Sequence, residues 1–276
     1  MPLRPSNPPQ ITIDDLMPGD ILLSTGTDWI DQLILHIDQG DYTHTTYYVG
    51  KVDGVYRAVD ATTDGIIYDT VQDDWVQVLV DAYRFVSPDG HHVGDTGWPV
   101  DPVTTLAKSF VGGAYSNSEL IMGGLLFLTM EMPSNPVASE MIRMVGDRLV
   151  HEMQEFIQYV EGQGKTPMTC VQVATSAFWG ADPSSARKYG IEVKINGARK
   201  APWSLPSNAS ADLKALSAKR DQLAQLMGPF AMEPAKKPGI VVKAGSDMLP
   251  LGSCTTRDLQ TSPSLQFVGC LLDKRS

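Results

Sequence analysis

Hydrophobic positions fall into short extended runs early in the chain and into longer helical stripes further on. The turn Pro18-Gly19-Asp20 leads into Ile21-Leu22-Leu23, which predicts a buried strand over Asp20–Ser24. Ile30, Leu33, Ile34 and Ile37 then recur at i, i+3, i+4 and i+7. That spacing predicts a helix over Asp28–Ile37, with Thr27 or Asp28 as its N-cap and Gly40-Asp41 ending it. Tyr42–Val49 is rich in Thr, Tyr and Val and predicts a strand. A turn at Lys51–Gly54 pairs it as a hairpin with a second strand at Val55–Ala61. Gly65–Tyr68, Trp75–Val80 and Ala82–Val86 predict further strands, and 87–100 a loop.

Beyond residue 100 the pattern turns helical. Asp101–Val111 predicts a short helix and Ser118–Glu131 an apolar one, broken by Met132-Pro133-Ser134-Asn135-Pro136. Ser139–Val160 predicts a long amphipathic helix with Met141, Met144, Val145, Leu149, Met153, Phe156 and Val160 on its inner face. Cys170–Phe178 and Asp212–Met227 predict two more helices. Residues 181–207 read as loop with a strand at Ile191–Ile195, and the tail 228–276 as loop with a few short extended pieces. Strands first and helices afterwards predict an α+β protein, with an antiparallel sheet packed on segregated helices.

Composition narrows the function. Of the 276 residues, 42% are apolar and 20% charged, the balance of an ordinary globular chain. The net charge of −10 is uneven: residues 1–100 hold sixteen Asp, no Glu and only four Lys or Arg. Such an acidic front half argues against a nucleic-acid partner, which requires a basic patch to displace counterions. The longest apolar run, near Leu120–Met130, falls short of the ~20 residues of a bilayer helix. Residues 1–10 carry four prolines and no apolar core of a signal peptide. The expectation is therefore a cytoplasmic protein, or one exported by a route that reads no such signal.

The three cysteines are Cys170, Cys254 and Cys270. An odd number leaves at least one free thiol, and Cys254 and Cys270 are close enough in sequence to pair in an oxidising compartment. Cys170 follows Thr166-Pro167-Met168-Thr169, so either Thr166 or Thr169 caps a helix with Cys170 in its first turn. The positive end of the helix dipole favours a thiolate there, and backbone N–H groups of that turn suit a developing oxyanion. A lone Cys is otherwise simply a small buried hydrophobe.

A thiol nucleophile needs a base, and five histidines are available. His36 lies on the apolar helix and reads as a structural or surface histidine. His91-His92 sits in a Gly-rich loop, without further ligands at metal spacing. His151 opens His151-Glu152-Met153-Gln154-Glu155, which lacks the second His of the zinc pattern. His44 differs: a strand gives it a fixed direction, and Asp60 near the end of the partner strand could fix its tautomer and stabilise its charge. The bland reading of Asp60 is one more surface carboxylate among sixteen.

Pro18-Gly19-Asp20-Ile21-Leu22-Leu23, then Thr43-His44, then a strand ending in an acidic residue, then a late Cys at a helix start, resembles the circularly permuted NlpC/P60 (papain-like) hydrolases. These include the YiiX/YaeF-type proteins and, more distantly, the lecithin-retinol acyltransferase group. The tail Cys254-Thr255-Thr256-Arg257-Asp258-Leu259-Gln260-Thr261-Ser262-Pro263 resembles the TPxDLxxSP ending of many permuted members. The resemblance covers about 18–61, 166–180 and 250–270. It implies a single permuted catalytic domain over 10–276 with a helical insertion at 112–163, preceded by an irregular lead-in at 1–9. It also implies Cys170 as nucleophile, His44 as base and Asp60 as the orienting group. The family often has Glu at the third position, and its Cys-Ser pair is Cys170-Val171 here.

The activity so implied is a cysteine hydrolase that forms an acyl-enzyme on a small peptide, amide or acyl substrate, an amide of a cell-wall peptide first among them. Tyr42 is a candidate extra oxyanion donor. One alternative keeps the triad but acts on lipid acyl groups, with Ile121–Leu128 and the Met-rich stripe at 141–153 lining an acyl channel. Another is an inert binding module. Neither cofactor nor metal is implied, and an immunity or inhibitor protein is left open.

Overall fold

The computed structural model describes residues 4–62, 65–71, 76–113, 168–182, 184, 188–193, 241–244, 247–250 and 254–275, with scattered helical positions at 146, 150–151, 211, 214–215, 217–218 and 221–222. The expected helices at Ser118–Glu131, Ser139–Val160 and Asp212–Met227 lie wholly or largely outside the described residues, as does most of the expected insertion.

The fold is α+β, built on a six-stranded sheet whose neighbours all run antiparallel. In chain order the elements are β1 (Ile21–Thr25), α1 (Trp29–Asp38), β2 (His44–Val52), β3 (Val55–Thr62), β4 (Gly65–Thr70), β5 (Leu79–Phe85), α2 (Asp101–Ser109), α3 (Cys170–Gly180), β6 (Val241–Ala244), β7 (Asp247–Pro250), α4 (Thr256–Gln260) and β8 (Leu265–Asp273). The strand order is β4-β3-β2-β1-β5-β8, and β6 and β7 form a separate two-stranded sheet.

Two apolar layers cover the sheet. On one face Ile21, Leu23, Tyr47 and Val59 join Val171, Ala174 and Phe178 of α3 and Val103 and Ala107 of α2. The Tyr47 and Phe178 rings meet edge to face at 6.0 Å. On the other face Leu22, Tyr48, Ala58, Val80 and Ala82 join Leu16, with Ile11 and Ile13 against them. β1 is therefore buried on both sides, which is why its run of apolar residues does not alternate. Each large side chain so buried contributes about 1.5–3 kcal/mol.

The β2–β3 hairpin is closed by Asp53 and Gly54, both in the left-handed region at φ 51° and 80°. That two-residue turn matches the natural twist of paired strands, and Asp-Gly is among the sequences that tolerate it. The hairpin is short and stiff, and it carries both His44 and Asp60.

Three local expectations are corrected. The two strands expected at Trp75–Val80 and Ala82–Val86 are one strand, β5, running through Asp81, while 76–78 are bends. Asp81 stays in the strand because the Arg4 side chain and the Tyr42 hydroxyl meet its buried carboxylate. No strand forms at Ile191–Val193, the described part of Ile191–Ile195. There the backbone bonds side chains instead: Ser264 Oγ accepts from Glu192 N at 2.9 Å, and Ser262 Oγ donates to Glu192 O at 2.6 Å. The tail holds more than short extended pieces, since α4 is a helix and β8 is a nine-residue strand.

β8 ends the strand order, so its outer edge would be open. Residues 4–11 cover it. Cys270 N donates to Pro9 O at 2.8 Å and Ile11 N donates to Cys270 O at 2.9 Å. The close approach depends on Gly269, where a Cβ would stand 2.6 Å from Ile11 Cγ2 and 2.9 Å from Pro9 O.

Candidate active site

His44 is the first residue of β2, paired in register with Ser24 of β1. Asp60 lies on β3, one step beyond the Tyr47–Val59 pair. That step sets Thr46 directly across from Asp60 and His44 on the diagonal, within reach of a carboxylate. The imidazole Nε2 donates to Asp60 Oδ1 at 2.7 Å, and Thr46 Oγ1 donates to the same oxygen at 3.2 Å.

Cys170 is the first residue of α3, and Thr169, one of the two expected caps, is the N-cap. Thr169 Oγ1 accepts from Gln172 N at 3.1 Å, and Gln172 Oε1 accepts from Thr169 N at 2.6 Å. This reciprocal cap fixes the first turn, and with it the direction of the Cys170 side chain. The buried stripe of Val171, Ala174 and Phe178 holds the helix against the sheet.

The helix places Cys170 close enough to the imidazole to act on its charge. Burial disfavours the charged imidazole and is the largest single influence on it. The Asp60 carboxylate and the Cys170 sulfur both favour the cation, and together they hold His44 well above the ordinary histidine range. All three residues singled out from the sequence thus meet, from three different elements.

The entry to β2 is braced by groups that the sequence did not point to. Thr43 Oγ1 donates to Asp31 Oδ1 in the first turn of α1. Thr256 Oγ1 of α4 donates to the Tyr42 carbonyl at 2.6 Å. Gln260 and Asp41 bond each other twice, Gln260 Nε2 donating to Asp41 Oδ2 at 2.6 Å and Gln260 Oε1 accepting from Asp41 N at 3.2 Å. Arg257 donates to the Asp38 carbonyl. The tail helix therefore latches residues 38–42, the segment that delivers His44. Thr46 was the one such group with a local signal, its two-residue spacing from His44 on a strand.

Other candidates stand apart. The Tyr42 hydroxyl is fully buried and donates to Asp81 Oδ2 at 2.6 Å, with Tyr83 OH 3.1 Å away, so it is committed to the core rather than to an oxyanion. His91 stacks on Trp98, and His92 Nδ1 donates to the Phe85 carbonyl at 2.9 Å. The side chain of His36 lies outside the description, and His151 is an exposed helical residue. Cys254 and Cys270 are both buried thiols and form no disulfide with each other. Among the described residues no group of His, Cys, Asp or Glu is arranged to hold a metal ion, and no helix is long and apolar enough to cross a membrane.

Neither a protein-family model, nor a curated protein, nor a solved structure matches this chain.

Proposed function

We propose that the protein is a cysteine hydrolase that works through an acyl-enzyme, with Cys170 as nucleophile, His44 as general base and acid, and Asp60 as the group that orients and charges His44. The observation that carries this reading is one imidazole bonded to Asp60 at 2.7 Å and acted on by Cys170 at a helix start. A buried histidine held above its ordinary range beside a carboxylate and a cysteine is suited to accept and hold a proton from that thiol.

In the proposed reaction His44 takes the Cys170 thiol proton. The thiolate attacks the substrate carbonyl, and an S–C bond forms. The tetrahedral oxyanion is stabilised by the positive end of α3. His44 returns its proton to the leaving amine or alcohol as the C–N or C–O bond breaks. Water, deprotonated by His44, then cleaves the thioester and restores the thiol.

The chain order, with base and carboxylate on a hairpin ahead of the nucleophile helix, supports a permuted papain-like fold of the NlpC/P60 type. That resemblance favours an amide of a wall peptide as substrate. The lipid-acyl alternative leans on 121–128 and 141–153, which lie almost wholly outside the described residues.

The test is iodoacetamide labelling of the folded protein against pH, read cysteine by cysteine by mass spectrometry. Cys254 and Cys270 are internal controls, because they are as buried as Cys170 (3%, 0% and 1% exposed). Cys170 is expected to label far faster than either below neutral pH, and His44→Asn to abolish that difference. Equal labelling of the three thiols, or a rate indifferent to His44→Asn, overturns the reading. With an activated acetyl ester, wild type is expected to pass through a transient acetyl thioester on Cys170.

A further inference from the structure

We infer that Thr46 is a positioning residue of this site: its hydroxyl holds the Asp60 carboxylate oxygen that receives the His44 proton donor. The inference rests on the functional reading above and adds to it the group that aims the carboxylate.

Asp60 sits opposite Thr46 across the β2–β3 pair, and His44 is the diagonal neighbour. A carboxylate on a free rotor has no reason to favour the diagonal direction. The Thr46 hydroxyl supplies one, since it donates to Oδ1, the same oxygen that accepts from His44 Nε2. Two donors on one oxygen fix the carboxylate more tightly than either alone. Thr46 is itself buried, so water is a poor substitute for its hydroxyl. The groups that act on the His44 charge are Asp60 from β3 and Cys170 from α3. A change at Thr46 therefore reaches the imidazole through Asp60.

The neighbouring threonine is a built-in control. Thr45 is buried and its hydroxyl has no hydrogen-bond partner among the described residues. By strand alternation its side chain leaves on the opposite face from Thr46. Thr45→Val and Thr46→Val thus remove the same atom from adjacent positions, and only the second removes a bond to Asp60.

The experiment is a proton NMR titration of the His44 ring in wild type, Thr45→Val, Thr46→Val and Thr46→Ser, with pH-dependent alkylation of Cys170 alongside. Thr46→Val is expected to lower the His44 midpoint, to move the acid limb of the alkylation profile to higher pH and to slow labelling below neutral pH by about tenfold. Thr46→Ser is expected to restore both profiles, and Thr45→Val to leave both unchanged. Thr46→Ala repeats the deletion should valine disturb the strand. A His44 midpoint unmoved by both deletions overturns the inference, as does an equal shift in Thr45→Val. Failure of the functional reading is separately visible, as wild-type Cys170 labelling that does not depend on His44.

Discussion

The guanidinium of Arg4 grips the carboxylate of Asp81, 77 residues away and fully buried at the centre of β5. Arg4 Nη2 donates to Asp81 Oδ1 at 3.0 Å, and Nη1 reaches Asp273 Oδ2 on β8 at 3.0 Å. The first hundred residues contain four basic side chains, and two of them are spent on buried carboxylates: Arg4 on Asp81, and Arg84 on Asp20 at 2.7 Å. Removing one partner of such a pair strands a charge in the core. Arg4→Gln is therefore expected to cost about 3–5 kcal/mol in urea unfolding. The double variant Arg4→Met with Asp81→Leu is expected to regain most of it.

Stability should fall with pH where His44 titrates. The folded state raises the affinity of His44 for its proton. Its contribution is fully present below the unfolded value of about 6.5, and it is lost as pH rises through the higher folded value. The stability difference between wild type and His44→Asn, measured by urea midpoints, should shrink steadily above neutral pH. A difference that grows with pH would contradict the arrangement of charges around the ring.

Thr169→Ala removes the cap that directs Cys170. The expected cost is about 1 kcal/mol in thermal or urea unfolding. It should be accompanied by slower Cys170 alkylation, because the first turn that aims the thiol frays. Thr169→Ser should retain both properties.

Gly269→Ala forces a methyl against Ile11 and Pro9. Overpacking of this kind is expected to cost about 1–3 kcal/mol. Amide exchange at Cys270, whose N–H bonds Pro9 O, should rise more than exchange at strands β2 and β3.

Short-range patterns made much of the molecule legible. Ile21-Leu22-Leu23 marked β1, the 3–4 spacing of Ile30 to Ile37 marked α1, and Thr169 marked the start of α3. Each of those signals is contained within about ten residues. The site residues were legible for a related reason: His44 and Asp60 share a hairpin, and Cys170 sits beside its own cap. What escaped is held by partners far away. Leu265–Asp273 shows no clean alternation to mark a strand, and it is held as one by β5 along one edge and the lead-in along the other. Asp81 looked like a break between strands because its counter-ion lies 77 residues upstream. The role of α4 in bracing Asp38 and Asp41 depends on bonds spanning 219 residues.

The separation of base and nucleophile along the chain has a consequence during synthesis. The hairpin with His44 and Asp60 is complete some 110 residues before Cys170 is added. At about 5–20 residues per second, that interval is roughly 5–20 s. For that time the imidazole and carboxylate can pair on the ribosome with no thiol to activate. When Cys170 emerges, it is an ordinary flexible thiol until α3 closes onto the sheet. On the proposed reading, nascent and misfolded chains would carry the cysteine without the reactivity, and labelling of Cys170 would report completed folding.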